Sequence, residues 1–188
     1  MTTPLMDAAK WYASQLVKVF PVHTVDDGKC SCGRADCDNP GKHPRVEGGF
    51  RAASYDPSRV HGWWVRWPDA NVGIATGAAS NLVVLDVDPK HGGDKTLQTI
   101  APERLPRTPV VQTGGGGWHY YFRAPADVDI PSSIGKLGAG LDIRGRGGYV
   151  VAPPSMHVSG APYVWAKGRS PRDGTVAALP CWLLERLA

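Results

Sequence analysis

The sequence predicts a mixed α/β protein. Short β-branched runs bounded by Gly, Pro, Asn and Ser recur within 81–89, 110–122 and 141–155. Between and before them, Met6–Phe20 and Asp56–Pro68 carry apolar residues at helical spacing. Gly 23 and Pro 17 lie above average usage, which favours many turns and short strands. A length of 188 residues suits one domain, or one with a small subdomain, and 42% hydrophobic residues suffice for a globular core.

The first helix is expected over Met6–Phe20, with Ala8, Ala9, Tyr12, Leu16 and Val19 along one face. A strand, Val19–Val25, follows, and its Pro21 suits an edge position or a bulge. Asp56 and Pro57 then give an N-cap and a first helical residue for a helix ending before Pro68. Its stripe of Val60, Trp63, Trp64 and Trp67 reads as core packing against a sheet, although Trp beside basic residues also suits base stacking. Asn71–Gly77 is a short strand and glycine turn, expected to form a hairpin with the strand after it. Asp94–Ile100 is a short helix, Pro102–Pro109 a Pro-rich connection and Ile130–Gly140 a loop. Pro180 opens a last apolar helix that takes Cys181 into the core.

Three of the four cysteines crowd into Lys29–Pro44 with the spacing C-x-C-x4-C-x5-H. Cys30, Cys32, Cys37 and His43 supply the three thiolates and one imidazole that a structural zinc needs. Gly33, Asn39, Pro40 and Gly41 allow the tight turns, and so polar a segment has no core without a metal. His23 is an alternative fourth ligand, and a surface loop with free thiols is the plain alternative.

The run Asn81–Pro89 passes from four apolar residues into Asp86 and Asp88. Residues two apart share a strand face, so the two carboxylates should point the same way. They fit either a hydrated strand end or a hard divalent cation. His91 and Asp94 belong to a solvated loop. Val110–Phe122 reads as a hairpin around Gly114–Gly117, where glycine backbone can cradle phosphate. His119 leaves that turn facing opposite to Trp118 and Tyr120. Leu141–Ser155 is again strand, turn, strand, with Asp142 and Arg144 on one face. They form a structural pair, or a third metal carboxylate and a phosphate clamp.

The ordered set Leu85-Asp86-Val87-Asp88, Gly116-Gly117-Trp118-His119 and Gly140-Leu141-Asp142-Ile143-Arg144 resembles the archaeo-eukaryotic primase superfamily. Within it, the chain looks like the bifunctional primase-polymerase branch found at the N-termini of phage and plasmid replication proteins. The runs Ala70–Gly77, Gly147–Ser155 and Leu179–Leu183 are similar to that branch as well, so the resemblance spans almost the whole chain. One departure stands out. Many superfamily members carry Ser two residues before the His, and this chain has Gly117.

The resemblance implies an RNA-recognition-like catalytic sheet beside a smaller N-terminal α/β unit, with a zinc-binding insertion at about 29–44 and a catalytic core at about 70–178. It implies a DNA primase and polymerase that transfers nucleotides on a template by a two-metal route. Asp86, Asp88 and Asp142 would hold two Mg²⁺ or Mn²⁺ ions roughly 3.5–4 Å apart. His119, Arg144 and the backbone of Gly115, Gly116 and Gly117 would bind the nucleotide. Lys42, Arg45, Arg51, Arg144 and Arg146 would line a crevice for nucleotide and template. Implied partners are DNA template and primer, dNTPs with NTPs as a further class, and a helicase domain or protein downstream of this N-terminal piece. A monomer in the cytoplasm is expected. Rival readings are a metal-dependent nucleotide phosphohydrolase and a non-catalytic zinc-containing nucleic-acid-binding module. No apolar run approaches the roughly 20 residues of a membrane span, the N-terminus lacks a signal-peptide pattern, and no G-x4-G-K-[ST] loop occurs.

Overall fold

The computed structural model describes residues 2–101, 103 and 105–187; Pro102 and Arg104 of the Pro-rich connection lie outside them. The elements in order are α1 (Pro4–Ser14), β1 (Val19–Val22), β2 (Val25–Asp26), β3 (Lys29–Cys30), α2 (Pro57–Arg66), β4 (Asn71–Ala75), β5 (Leu82–Val87), α3 (Gly93–Ile100), β6 (Val110–Gln112), β7 (Trp118–Arg123), β8 (Ser133–Ile134), β9 (Leu141–Arg144), β10 (Tyr149–Ala152), β11 (Val164–Trp165), β12 (Ala177–Ala178) and α4 (Cys181–Leu187). The protein is therefore mixed α/β. It divides into two units, Met1–Ala75 with Tyr149–Val164, and Thr76–Gly148 with Trp165–Ala188.

The first unit is built on the three-stranded sheet β1-β4-β10, antiparallel throughout. Thr3 caps α1 by accepting from Met6 N. The helix stops at Ser14, short of the expected Phe20, because the chain turns through Leu16 at φ 61. Val19 and Phe20 are then fully buried in β1, where β-branched and aromatic side chains are favoured. Pro21 sits on this edge strand, where its missing N–H costs no ladder bond. α2 starts as the sequence predicts, with the Asp56 carboxylate accepting from Arg59 N. Its tryptophan stripe divides. Trp64 is fully buried and donates to Ala70 O, whereas Trp63 and Trp67 are half-buried under the guanidinium groups of Arg59, Arg45 and Arg66.

Asn71 ties this unit together. It is fully buried, and its Nδ2 donates to His23 O, Gly41 O and Met156 O while its Oδ1 accepts from Met156 N. One side chain thus joins the end of β1, the cysteine loop and the segment after β10.

The second unit holds the larger sheet, ordered β11-β6-β7-β5-β9-β8, with β12 parallel to β7. One face is the core. Val83, Leu85, Val87, Phe122, Leu141 and Ile143 cluster there with Leu183 of α4, and Leu97 and Ile100 of α3 pack against them. Alternation puts Asp86, His119, Asp142 and Arg144 on the other face.

Four expectations are corrected. β4 does not form a hairpin with β5: it pairs with β1 and β10, and the chain changes sheets after Ala75. β9 and β10 likewise belong to different sheets rather than to one hairpin. The two crossings meet, since Thr76 N donates to Gly148 O and Thr76 Oγ1 to Gly145 O at 2.7 Å. Cys181 is exposed, because it occupies the first turn of α4 while Leu183 takes the core position. Ile130–Gly140 also contains the short strand β8, paired with β9.

Replacing Asn71 with Leu should destabilise the protein by at least about 3 kcal/mol, because each buried polar group left unsatisfied costs about 1–3 kcal/mol. Urea unfolding of Asn71→Leu measures this directly. A midpoint unchanged from the parent would remove Asn71 from this role.

Candidate active site and metal centre

Leu82–Leu85 are buried throughout, which fixes β5 at the centre of its sheet. The antiparallel register then sets Asp86 opposite His119 on β7 and opposite Asp142 on β9. Directly opposed residues bring their Cβ atoms to about 4.5–5.5 Å. An imidazole and two carboxylates therefore form a row across three strands.

Two facing carboxylates repel each other. Arg144 offsets this: its Nη2 lies 2.9 Å from Asp142 Oδ2 and 3.2 Å from Asp86 Oδ2. The structural pairing of Asp142 with Arg144 thus forms and extends to a second acid. The other oxygen of Asp142 accepts from Gly135 N at 3.0 Å. On the far side of Asp86, His119 Nε2 lies 3.6 Å from Oδ1, close enough to attract as imidazolium but too long for a hydrogen bond. Asp86, Asp142 and Arg144 are 24%, 23% and 30% exposed, so the row meets solvent.

Asp88 lies one residue beyond the end of β5. The strand ends at Val87, and Asp88 caps the 3-10 turn Pro89–His91. Its carboxylate accepts from Lys90 N at 2.9 Å and lies 2.8 Å from His91 Nδ1. Burial alone would raise this carboxyl, but the His91 and Lys90 bonds and charges outweigh it and hold the group below its ordinary range. His91, expected in a solvated loop, is exposed yet tied to Asp88, and Asp94 lies in the first turn of α3. The backbone of Asp88 is held from behind: its N donates to Gly140 O at 2.8 Å and its O accepts from Gly93 N at 2.9 Å. A Cβ on Gly93 would come within 2.2 Å of Gly140 O. Sequence reasoning passed over Gly93 as a positioning residue, and the doublet Gly92-Gly93 beside the acids was its only signal.

The β6–β7 hairpin forms as expected. Inside its turn, Gly116 N donates to Thr113 O and Gly117 N to Thr113 Oγ1, both at 2.9 Å. Two of the three N–H groups expected to face phosphate are therefore engaged within the turn, and Gly115 N–H has no hydrogen bond among the described residues. A Cβ at position 117 would sit 2.6 Å from Val87 O and 3.3 Å from Thr113 Oγ1. At position 117 the backbone of β5 therefore excludes a side chain, and the Thr113 hydroxyl is used within the turn.

In the first unit, Cys30, Cys32, Cys37 and His43 bring one ligand atom each to within 4.8 Å of one another. His43 Nε2 is 3.3 Å from Cys30 Sγ and 3.4 Å from Cys37 Sγ. The N–H of Arg34 lowers the Cys32 thiol to about 6, favouring the thiolate that binds metal, while burial pushes Cys37 up. The short β2–β3 ribbon places Cys30, and Gly41 turns the chain back toward His43. His23 is not in the cluster; its ring lies tilted against His43 with centroids 4.4 Å apart, and its Nδ1 meets Ser31 Oγ at 2.9 Å. Burial, then the charges of His43 and Arg45, lower it to about 4. Such a donor set is compatible with zinc. Among the described residues no other group of three or more His, Cys, Asp or Glu lies this close, so Asp86, Asp88 and Asp142 do not form a closed three-ligand cluster.

Of the cations expected to meet nucleic acid, Arg45 is bound to Asp69 at 3.1 and 3.2 Å, Arg51 lies over Phe50, and Arg146 pairs with Asp129. Lys42 accepts from Tyr149 Oη through its carbonyl.

The mixed α/β protein thus carries a carboxylate pair bridged by a guanidinium and a separate Cys₃His cluster that could hold a metal ion. Residues 9–182 match the family described as bifunctional DNA primase/polymerase, N-terminal, and the chain belongs to that family. Membership supports nucleotidyl transfer of the DNA primase/polymerase type, with DNA and nucleotides as substrates. No curated protein matches the chain.

Gly117→Ser should lower stability by about 1–3 kcal/mol, the usual cost of overpacking. Thermal unfolding reports it, and a variant as stable as the parent would show that β5 yields at Val87.

Proposed function

We propose that this chain is a template-directed DNA polymerase with primase capacity, and that Asp86 and Asp142 are the centre of its active site. The observation that carries the proposal is the Asp86–Asp142 pair opposed across β5 and β9, with Arg144 bound to both. The architecture of the second unit, an antiparallel sheet with helices on one face and the acids on the other, supports an RNA-recognition-like reading.

Two carboxylates in register offer hard oxygen donors, the chemistry that Mg²⁺ or Mn²⁺ requires. Asp86 and Asp142 would hold these ions, and Asp88 would join them on leaving its bond to His91. When bound, such ions lower the pKa of an attacking 3′-hydroxyl and stabilise the pyrophosphate that leaves. The chain's own groups do the rest. Arg144 presents a planar fork that matches phosphate oxygens, and it can exchange its carboxylates for a triphosphate. His119, buried beside Asp86, is placed to donate to the same anion. Gly115 N–H adds a backbone donor at the turn. The backbone of Asp88, braced by Gly93 N and Gly140 O, holds its carboxylate just past the end of β5.

The Cys₃His cluster is assigned to a structural zinc, because the four ligands close a site with no open position. Reduced thiol ligands suit a cytoplasmic setting. No helix among the described residues is long and apolar enough to cross a membrane. Replication of phage or plasmid DNA with an unwinding partner is the context this reading implies.

Asp86→Asn and Asp142→Asn should each reduce primer extension with dNTPs and Mn²⁺ on the order of 10²-fold or more. Extension by both variants at the parental rate would remove these acids from the mechanism. Metal analysis of purified protein should give about one zinc per chain, as a four-ligand site requires. Cys37→Ser should lose that zinc together with thermal stability, and a metal-free parent with the same melting temperature would overturn the structural assignment.

A further inference from the structure

The second unit contains a cavity of about 190 Å³ beside the start of β6, lined by Arg107, Thr108, Arg169, Ser170, Asp173 and the glycines at 168 and 174. None of these residues takes part in the site described above. Its walls are two segments strapped together. Val110 N donates to Arg169 O and Ala166 N to Val110 O, so the loop after β11 is fastened to β6. Thr108 is buried, with its hydroxyl between Tyr121 O and Ala177 N.

The arginines are held rather than loose. Arg107 Nη2 donates to Gly168 O at 2.7 Å, and Arg169 Nε donates to Thr108 O at 2.8 Å. Each guanidinium spends one nitrogen on the backbone, and its other nitrogens make no hydrogen bond among the described residues. Asp173 is occupied within its own turn, accepting from Ser170 N at 2.8 Å and Ser170 Oγ at 2.5 Å. Two guanidinium groups against one carboxylate leave one net positive charge. Preorganised arginine forks of this kind fit phosphate oxygens.

We propose that this cavity is a phosphate-binding site for the backbone of a single nucleic-acid strand. One net positive charge matches the single negative charge of a phosphodiester better than the higher charge of a triphosphate. Arg107, Gly168, Asp173 and Gly174 are exposed, so a strand can leave the cavity in both directions. Lys167 and Arg172, also exposed, flank the loop and extend its positive character. The location suits a polymerase. Val111 pairs with His119, which pairs with Asp86, so the site lies two strands from Asp86 and two residues along β6. With strands about 4.8 Å apart and a rise of about 3.4 Å per residue, the separation is on the order of 12 Å. Measured in the plane of the sheet, that distance is spanned by a few nucleotides.

This inference rests on the chain acting on nucleic acid, and the test separates the two. Binding of a fluorescein-labelled oligothymidylate is followed by anisotropy across a salt series for the parent, Arg107→Gln, and Arg107→Gln/Arg169→Gln. One fewer phosphate neutralised should make the slope of log K against log salt shallower by about 0.7 in the double variant. Affinity should fall about tenfold, the equivalent of one charge-assisted hydrogen bond. Nucleotide KM in primer extension should be unchanged while template KM rises. If Arg169→Gln impairs folding, Arg107→Gln alone, at an exposed position with one backbone bond, should still lower affinity and slope. Unaltered slope and affinity in folded variants would overturn the cavity site and leave the polymerase reading intact. A parent that binds no oligothymidylate would overturn both. Inorganic phosphate bound as tightly as the oligonucleotide, and lost in the double variant, would assign the cavity to a free anion and overturn the strand.

Discussion

Strand register is the constraint on which the second unit depends. Asp86 lies opposite His119 on one side and Asp142 on the other because β5, β7 and β9 pair antiparallel in one particular alignment. A slip of one residue would send every acid into the apolar core and every core residue to the opposite face. The buried run Val83–Leu85 and the cluster around Leu141, Ile143 and Phe122 resist that slip. Hydrophobic burial on one face therefore determines the electrostatics of the other. Arg144 completes the arrangement, since without a cation the facing carboxylates would oppose the same register.

The two units use polar side chains differently. In the second, charged groups are gathered on one face and left partly solvated, so they stay able to exchange partners. In the first, Asn71 is fully buried and its hydrogen bonds are all satisfied inside the unit. Satisfied buried polar groups specify one arrangement, and partly exposed ones retain reactivity. The cysteine loop borrows rigidity from both kinds of order: Gly41 O is held by Asn71, while its thiols face one another across a space suited to a metal.

Local chemistry was readable in the sequence wherever it follows from spacing. Cysteine spacing identified the Cys₃His cluster, alternation placed His119, Asp142 and Arg144 on their face, and Asp56-Pro57 marked a helix start. Pairing across long separations was not readable. Nothing local shows that β4 leaves β5 to join β1 and β10, because a Gly-containing turn between two apolar runs looks the same whether the runs pair or part. The split of the tryptophan stripe depends on tertiary neighbours, with Trp64 fitting under the sheet and Trp63 and Trp67 meeting arginines. Asp88 keeps extended backbone one residue past β5, and strand periodicity could not show that its carboxylate also caps the turn at Pro89. The cavity at β6 joins residues about sixty positions apart, beyond any spacing rule.

The double crossing at Thr76 and Gly148 has a consequence for how the polypeptide comes into being. Strand β4 is made early, but one of its two neighbours, β10, follows only after the whole run of β5 to β9 has been synthesised. A nascent chain leaving the ribosome therefore carries a half-paired, apolar β4 while five strands of the larger sheet are being translated. Exposed strand edges of this kind are where misassembly begins. The order of folding is then constrained by the order of synthesis: the unit begun first is closed only after β5 to β9 are made, and its third strand arrives through the segment that leaves the larger sheet.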